Sequence, residues 1–497
     1  MNSLVLGEST GTQARDRRWF VLALVVAAQF MVVLDIAIVN VALPSIKTDL
    51  HFSQESLQWV ITAYSIFFGG VLLLGGRLAD LLGRRRLFVA GIVLFAVSSL
   101  LAGLSWSEGS LITFRALQGL GGALLSPAAL SILTTVFREG RERNIALGVW
   151  GAASGSGGAA GVLLGGALTT YLGWSWIFFI NVPVAAVIVT LTPFLLRESR
   201  ADIGHRHFDF AGAATITSSL MLLVYGMTRA TEHGWSDSLT LATLAASAVL
   251  AVGFVLVELR SKAPLLPLRI FRLRTLSAAN GTAVLLSSAV FSQFFLLTLY
   301  MQEVLHYSAI QTGVAYIALT VSIIAFSGVA QALTTRVGAR RVLPVGLLLS
   351  AVALVLYARL PVDGHYFWDV FPAFLLSGIG LALAFVPMQI AALTGVRDSD
   401  AGVASGLINT SQQIGGAVGL AAAATIATTF TSHYVDSHVG VTAFSGSALT
   451  HGFEIAFYVL AALAALGAVV AAVFIESKPR AAQSETVEAD VAFEAAA

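Results

Sequence analysis

An aspartate, Asp35, stands in the stretch VLDIAIVNVALPSI (33–46), directly after a run from Trp19 to Val33 that holds no charge. A carboxylate at the middle of a membrane span costs about 2.5–3.5 kcal/mol to insert, so it needs a partner or a wetted cavity. Arg115 lies inside an apolar run of its own, LITFRALQGLGGALL (111–125). If the two runs cross in opposite directions, with middles near Phe30 and Gly121, Asp35 and Arg115 share one depth, each roughly 8–9 Å toward the same side at 1.5 Å per residue. Two readings of such a pair stay open. It is an ion pair that fixes packing, or it is a proton-exchanging site in which desolvation favours the neutral acid and Arg115 the carboxylate.

Other polar groups lie in apolar surroundings. GVASGLINTSQQIGGAVG (402–419) carries Asn409, Gln412 and Gln413, and amides inside a span serve either as helix-helix glue or as the lining of a wetted cavity. Asn40, Trp59, Tyr64, Gln118, Asn280, Gln293, Phe294 and Gln389 are candidates to face the same cavity. In GVWGAASGSGGAAGVLLGGAL (148–168), Gly157, Gly161 and Gly165 recur every four residues, making a smooth stripe for close helix approach and permitting bending. Glu303, Asp369 and Glu454 fall at span ends, where solvated acids are expected, and the nine histidines show no metal-ligand spacing. There is no GxxxxGK[ST] and no evident nucleophile with its base, so neither ATP hydrolysis nor other enzyme chemistry is expected. No cofactor, metal or nucleic acid is called for, and a monomer is expected.

The elements that position these groups follow from composition. Of 497 residues 57% are hydrophobic and 11% charged, against about 25% charged in soluble domains. Apolar windows of about 20 residues, the length that crosses a bilayer, centre near Phe30, Phe67, Ala96, Ala123, Gly157, Ala186, Ser218, Ser247, Val290, Ser322, Ser350, Gly380, Gly416 and Leu463. The expected fold is an all-α membrane protein of fourteen transmembrane helices, with no removable signal peptide. Placing the N-terminus in the cytoplasm leaves only Lys47, Arg229 and Arg359 in outer loops and Arg115 within a span; the other 24 of the 28 basic residues fall inside, as the positive-inside rule requires. Both termini are then cytoplasmic.

The chain also repeats itself. GRLADLLGRRRL (76–87) returns 255 residues later as QALTTRVGARRV (331–342), and Gly151 and Gly161 meet Gly406 and Gly416 in the same frame. Two six-helix repeats plus an inserted helix pair result: a cytoplasmic N-terminus (1–18), a first half (19–197), inserted helices 7 and 8 (198–260), a second half (261–475) and an acidic, alanine-rich tail (476–497) expected to be disordered. Parallel six-helix halves are the architecture of a rocking transporter with its site between them. RSKAPLLPLRIFRLRT (260–275) mixes cations with apolar residues, which suits a segment lying along the inner membrane surface.

The chain resembles the fourteen-span drug:proton antiporters of the major facilitator superfamily, the EmrB/QacA-like group, over nearly its whole length. Gly76, Leu78, Ala79, Asp80, Gly83, Arg84 and Arg85 match the superfamily's inner-loop signature, which implies a conformational switch. Leu34, Asp35, Asn40, Ala42, Leu43 and Pro44 look like the span 1 signature, whose acid is tied to proton coupling or cation binding. Arg115, Gln118 and Gly119 match the span 4 signature, whose arginine is associated with proton transfer. Gly157, Gly161, Gly165 and Gly166 fit the antiporter signature of span 5, and Trp174, Trp176, Phe178, Asn181 and Pro183 the entrance to span 6. Val162 stands where the signature has proline, Ser175 where the group has arginine, and no deep acid occurs in the second half. The resemblance implies a transporter of the bacterial inner membrane that exports small amphipathic compounds, as in multidrug or antibiotic efflux, driven by the proton gradient and cycling by alternating access. Proton-coupled uptake of a small organic solute, and a non-transporting membrane sensor, are the alternatives.

Overall fold

The computed structural model describes residues 6–52, 54–200, 209–261, 264–438 and 440–476. The tail expected to be disordered lies outside them, apart from Glu476, and so do residues 1–5 of the N-terminal segment. Among the described residues thirteen helices are long and apolar enough to cross a membrane, and a bent helix makes fourteen. In chain order, spans 1 to 6 are Leu6–Asp49, Trp59–Leu82, Arg84–Gly103, Glu108–Val136, Arg141–Tyr171 and Trp176–Leu195. The inserted pair, spans 7 and 8, is Phe210–His233 and Ser238–Arg260. Spans 9 to 14 are Arg274–Val304, Ile310–Val337, Ala339–Ala358, Tyr366–Leu393, Asp398–Ser437 and Gly446–Phe474. Span 5 is the bent one, turning by 41° between Gly158 and Ala160, inside its glycine stripe.

Packing follows the small residues. Hydrocarbon gives no hydrophobic drive to join helices, so close backbone approach sets which faces meet. Span 5 lies on span 1 through Gly157 against Val33, Gly161 against Leu34 and Ala37, and Gly165 against Ile38. In spans 3 and 4, a side chain on Gly91 would meet the Gly121 carbonyl and one on Gly121 the Gly91 carbonyl and Phe95 N–H; in spans 11 and 12, Gly380 stands the same way against Gly346 and Ser350. Gly119 lies on the Tyr64 carbonyl as Gly378 lies on that of Leu319. The repeat is therefore one of backbone contacts, shifted by 255 residues in spans 2 and 3 and by 259 in span 4. Span 13 departs from the expected frame by one residue. Gly415 and Gly419 meet span 9 at Val284 and Ser288, while Gly416, matched with Gly161 by sequence, faces the Phe291 ring.

The tight turns into spans 3 and 11 repeat too. Gly83 and Gly338, 255 apart, both have positive φ (113° and 86°), a region open to glycine without strain. Glu198 closes the first turn by accepting the Arg85 and Arg86 backbone N–H groups, each at 3.2 Å. The inserted pair is held by two serines, Ser219 and Ser247, each hydroxyl donating to the other's carbonyl at 2.8 Å. Span 7 packs on span 2, with Met221 seated over Gly70, and Trp235 in the loop after it donates to Thr425 of span 13 at 2.7 Å. In the segment expected to lie along the membrane surface, Leu265, Leu266 and Ile270 are buried while Arg269, Phe271 and Arg272 are exposed, and Glu258 ties it to span 8 by accepting the backbone N–H groups of Leu265 and Leu266.

Candidate functional site

Asp35, with no exposed surface, sits in a cluster to which spans 2, 3, 4 and 6 contribute groups. Its Oδ2 accepts from Arg115 Nη1 at 2.7 Å. Its Oδ1 accepts from Gln118 Nε2 at 2.8 Å and from Asn181 Nδ2 at 2.9 Å. Three donors and no acceptor define a carboxylate here. Arg115 is held in turn by the Val60 carbonyl at 3.1 Å and by Gln118 Oε1 at 2.7 Å, with its guanidinium 4.3 Å above the Tyr64 ring and 5.7 Å from that of Phe178. Ser99 completes the cluster: it accepts from Gln118 at 3.1 Å and Asn181 at 3.0 Å and donates to the Phe178 carbonyl at 2.9 Å.

The local sequence explains the assembly. Gly119 lets span 2 approach so closely that the Val60 carbonyl and the Tyr64 ring reach Arg115. Arg115 and Gln118, three apart, share a helix face. Asn181 lies one turn into span 6, which runs through Ile180 in helical conformation. Bonds of this kind to a charged group contribute about 1.5–3 kcal/mol each, and removing one partner of a buried ion pair costs about 3–5 kcal/mol.

A second constellation joins the two halves at the end where the arginine-rich loops lie. Asp80 accepts the backbone N–H groups of Gly402 and Val403 at 3.1 and 3.2 Å and Arg84 Nη2 at 3.0 Å; Arg84 also donates to the Asp398 carbonyl. Arg143 donates to the Leu393 carbonyl at 3.0 Å, Glu139 accepts from Gly395 N–H at 2.8 Å, and Asn144 donates to Thr335 at 3.1 Å. Gly76 and Gly402 lie backbone to backbone, each where a methyl group would overlap the other's carbonyl. The basic end is thus sealed, and every one of these bonds would have to break for the halves to part there.

The remaining candidates divide. Gly157, Gly161 and Gly165 touch span 1, and Gly166 meets Ile310 of span 10. Tyr64 and Gln118, expected to face a cavity, belong to the buried cluster instead. Gln293, also buried, pairs with Ser377 at 2.9 Å; Asn280 accepts from Ser411 at 2.9 Å; Asn409 bonds its own helix at Ser405. The first two tie neighbouring helices together in this conformation, and Asn409 stays within span 13. Phe294 stacks on Tyr316 at 5.2 Å and Trp59 lies 5.8 Å from Tyr225 of span 7. Asn40 is exposed, Gln412 and Gln413 are half-buried, and Gln412 Nε2 and Gln389 Oε1 are buried without a hydrogen-bond partner. Unpaired interior amides call for a water or a ligand, so Gln389 and Gln412 keep their place as cavity candidates. Ser99 is absent from the residues the sequence singles out, and Asn181 enters only as a signature residue; the signal was a lone amide in WIFFINVP and the adjacent hydroxyls of Ser98 and Ser99 in AVSSLL, each in apolar company.

The family model described as Major Facilitator Superfamily matches residues 25–420. The chain is 40% identical over 98% of its length to the puromycin resistance protein pur8 of Streptomyces alboniger, covering 97% of that protein. It is 38% identical to the cephamycin export protein CmcT of Amycolatopsis lactamdurans, over 85% of this chain and 89% of that one. Identity to the tetracenomycin C resistance and export protein of Streptomyces glaucescens is 36%, over 82% and 75%. Among solved structures the human organic anion transporter MFSD10 superposes with a TM-score of 0.61 at 17% identity, over 92% of this chain and 98% of that one, a likeness of fold.

Proposed function

The chain belongs to the major facilitator superfamily, and from that premise we propose that it is an exporter of small amphipathic compounds, drug-like or self-made, that works in the bacterial inner membrane in exchange for protons. The relatives named for antibiotic resistance and export support the direction and the substrate class. The observation that carries proton coupling is the Asp35 carboxylate, buried in a span and held by Arg115 at 2.7 Å.

With the arginine-rich loops and both termini in the cytoplasm, the conformation described here is the one closed to the cytoplasm. Opening on the far side wets the cluster, Asp35 takes a proton, and substrate leaves. The seam at Asp80, Gly402 and Arg143 then parts, substrate enters between the halves near Gln389 and Gln412, and Arg115 returns Asp35 to the carboxylate as its proton passes inward. A membrane potential of 100 mV supplies about 2.3 kcal/mol per charge moved, so one proton per cycle is a useful drive. No bound cofactor takes part, and a single chain suffices.

Efflux of a panel of lipophilic dyes and antibiotics from efflux-deficient bacterial cells tests this. Wild type should lower accumulation several-fold, and Asp35→Asn, or collapse of the proton gradient, should abolish that effect. Gradient-driven efflux by Asp35→Asn at the wild-type rate would sink the coupling role.

A further inference from the structure

Resting on that reading of Asp35, we propose that Asn181 is the positioning residue that reads the proton: its carboxamide turns over when Asp35 is protonated, carrying the event to span 6. Both lone pairs of Oδ1 already accept, from Gln118 and Asn181, so a proton taken on Oδ1, the oxygen not bonded to Arg115, meets a donor that already points there. One neighbour must therefore withdraw a donor and, ideally, present an acceptor.

The cluster contains three donors to Asp35, and two are fixed. Arg115 has no acceptor to offer. Gln118 is locked in orientation, because its Oε1 accepts from Arg115 while its Nε2 serves Asp35 and Ser99. Asn181 is different: both its bonds to the cluster run through Nδ2, to Asp35 and to Ser99. Half a turn of its amide brings Oδ1 to the same two partners. Protonated Asp35 then donates to Oδ1, and the Ser99 hydroxyl can swing from the Phe178 carbonyl to donate there as well, so one rotation satisfies the neutral acid. Phe178 and Asn181 both belong to span 6, so both ends of this exchange fall on that span. The charged or titratable groups near Asp35 are Arg115 on span 4 and Tyr64 on span 2. Spans 3 and 6 carry none beyond Arg84, Arg85 and Arg86 at the basic end, and span 5 none between Asn144 and Tyr171.

The test is pH-difference infrared spectroscopy of the full-length protein in lipid nanodiscs, alongside the pH profile of transport, for wild type, Asp35→Asn, Asn181→Val and Asn181→Thr. Wild type should show an acid carbonyl band, missing in Asp35→Asn, that titrates together with a side-chain amide band missing in both Asn181 variants. Asn181→Val, which removes both polar atoms, should move the transport midpoint to higher pH, the proton being held about tenfold more tightly, because a bond to a carboxylate is worth more than one to the neutral acid. The acid band should rise in frequency as its acceptor is lost. Asn181→Thr, whose hydroxyl both donates and accepts, should restore the wild-type midpoint. An acid band and midpoint indifferent to Asn181→Val would overturn the assignment alone. Absence of the acid band in wild type would overturn it together with the coupling role of Asp35.

Discussion

The two halves share a backbone and differ in chemistry at one depth. In the frame set by Gly119 on Tyr64 and Gly378 on Leu319, Arg115 of span 4 corresponds to Phe374 of span 12, and Gln118 to Ser377. In the frame set by Phe95 and Ser350, Ser99 corresponds to Leu354. Where the first half holds an ion pair and its amides, the second holds Phe374 stacked on Tyr316 at 5.2 Å and edge-on to Tyr357 at 5.9 Å. The glycine contacts that set helix distance are kept on both sides, while the groups that could hold a proton are confined to one. Scaffold and buried charged cluster are thus separable, and the cluster is not needed to build a six-helix half.

The largest effect should come from making the first half resemble the second. Arg115→Phe alone strands the Asp35 carboxylate, and losing one partner of a buried pair costs about 3–5 kcal/mol; thermal unfolding in detergent should fall sharply and gradient-driven efflux should vanish. Adding Asp35→Leu removes the stranded charge as well. Replacement of a buried pair by apolar groups is often close to neutral for stability, so the double variant should regain most of the lost thermal stability and none of the transport. A double variant as unstable as the single one would show that the cluster is part of the scaffold after all.

A smaller, graded effect separates the glycines. Gly119→Ala and Gly378→Ala each push a methyl group into span 2 or span 10 at corresponding places, and overpacking of this kind costs about 1–3 kcal/mol. Both should lower thermal stability by similar amounts. Only Gly119→Ala also displaces the Val60 carbonyl and the Tyr64 ring from Arg115, so only it should change the pH profile of efflux among molecules that remain folded. Equal changes in both profiles would break the distinction between halves.

What was legible in the sequence follows the same division. Run lengths, arginine placement and the 255-residue echo yield fourteen spans and two halves, because lipid forces long helices and glycine spacing survives in the chain as a pattern. The meeting of Asp35 and Arg115 could be reckoned from depth alone. Which face a polar residue turns to could not: Tyr64 and Gln118 were assigned to a cavity and lie in the cluster, since hydrogen-bond partners are fixed by the crossing of three or more helices and leave no period in any one of them. Asn181 and Ser99 were passed over as site residues for the same reason, their role existing only where spans 3, 4 and 6 converge on span 1.

A second ion pair sharpens the comparison with the least expected effect. Arg229 and Asp237 lie 2.8 Å apart, as close as Asp35 and Arg115 nearly are, but beside the loop between spans 7 and 8, and with about a fifth to a quarter of each side chain exposed. The hydrogen bond from Arg229, helped by the Thr240 backbone N–H, lowers the Asp237 carboxyl from 3.8 to about 2. A lowered value means that the pair's contribution is complete above about pH 4 and is lost only as the pH falls toward 2. Nothing about this pair changes between pH 5 and 8, where a proton-coupled exporter works. Asp237→Asn keeps an oxygen to cap Thr240 and loses only the attraction for Arg229, which water already screens. Its thermal midpoint and its efflux profile from pH 5 to 8 should therefore superimpose on wild type. A displaced profile would mean that the inserted pair, tied to span 13 through Trp235 and Thr425, feeds charge into the transport cycle, and proton sensing would then extend beyond the buried cluster of the first half.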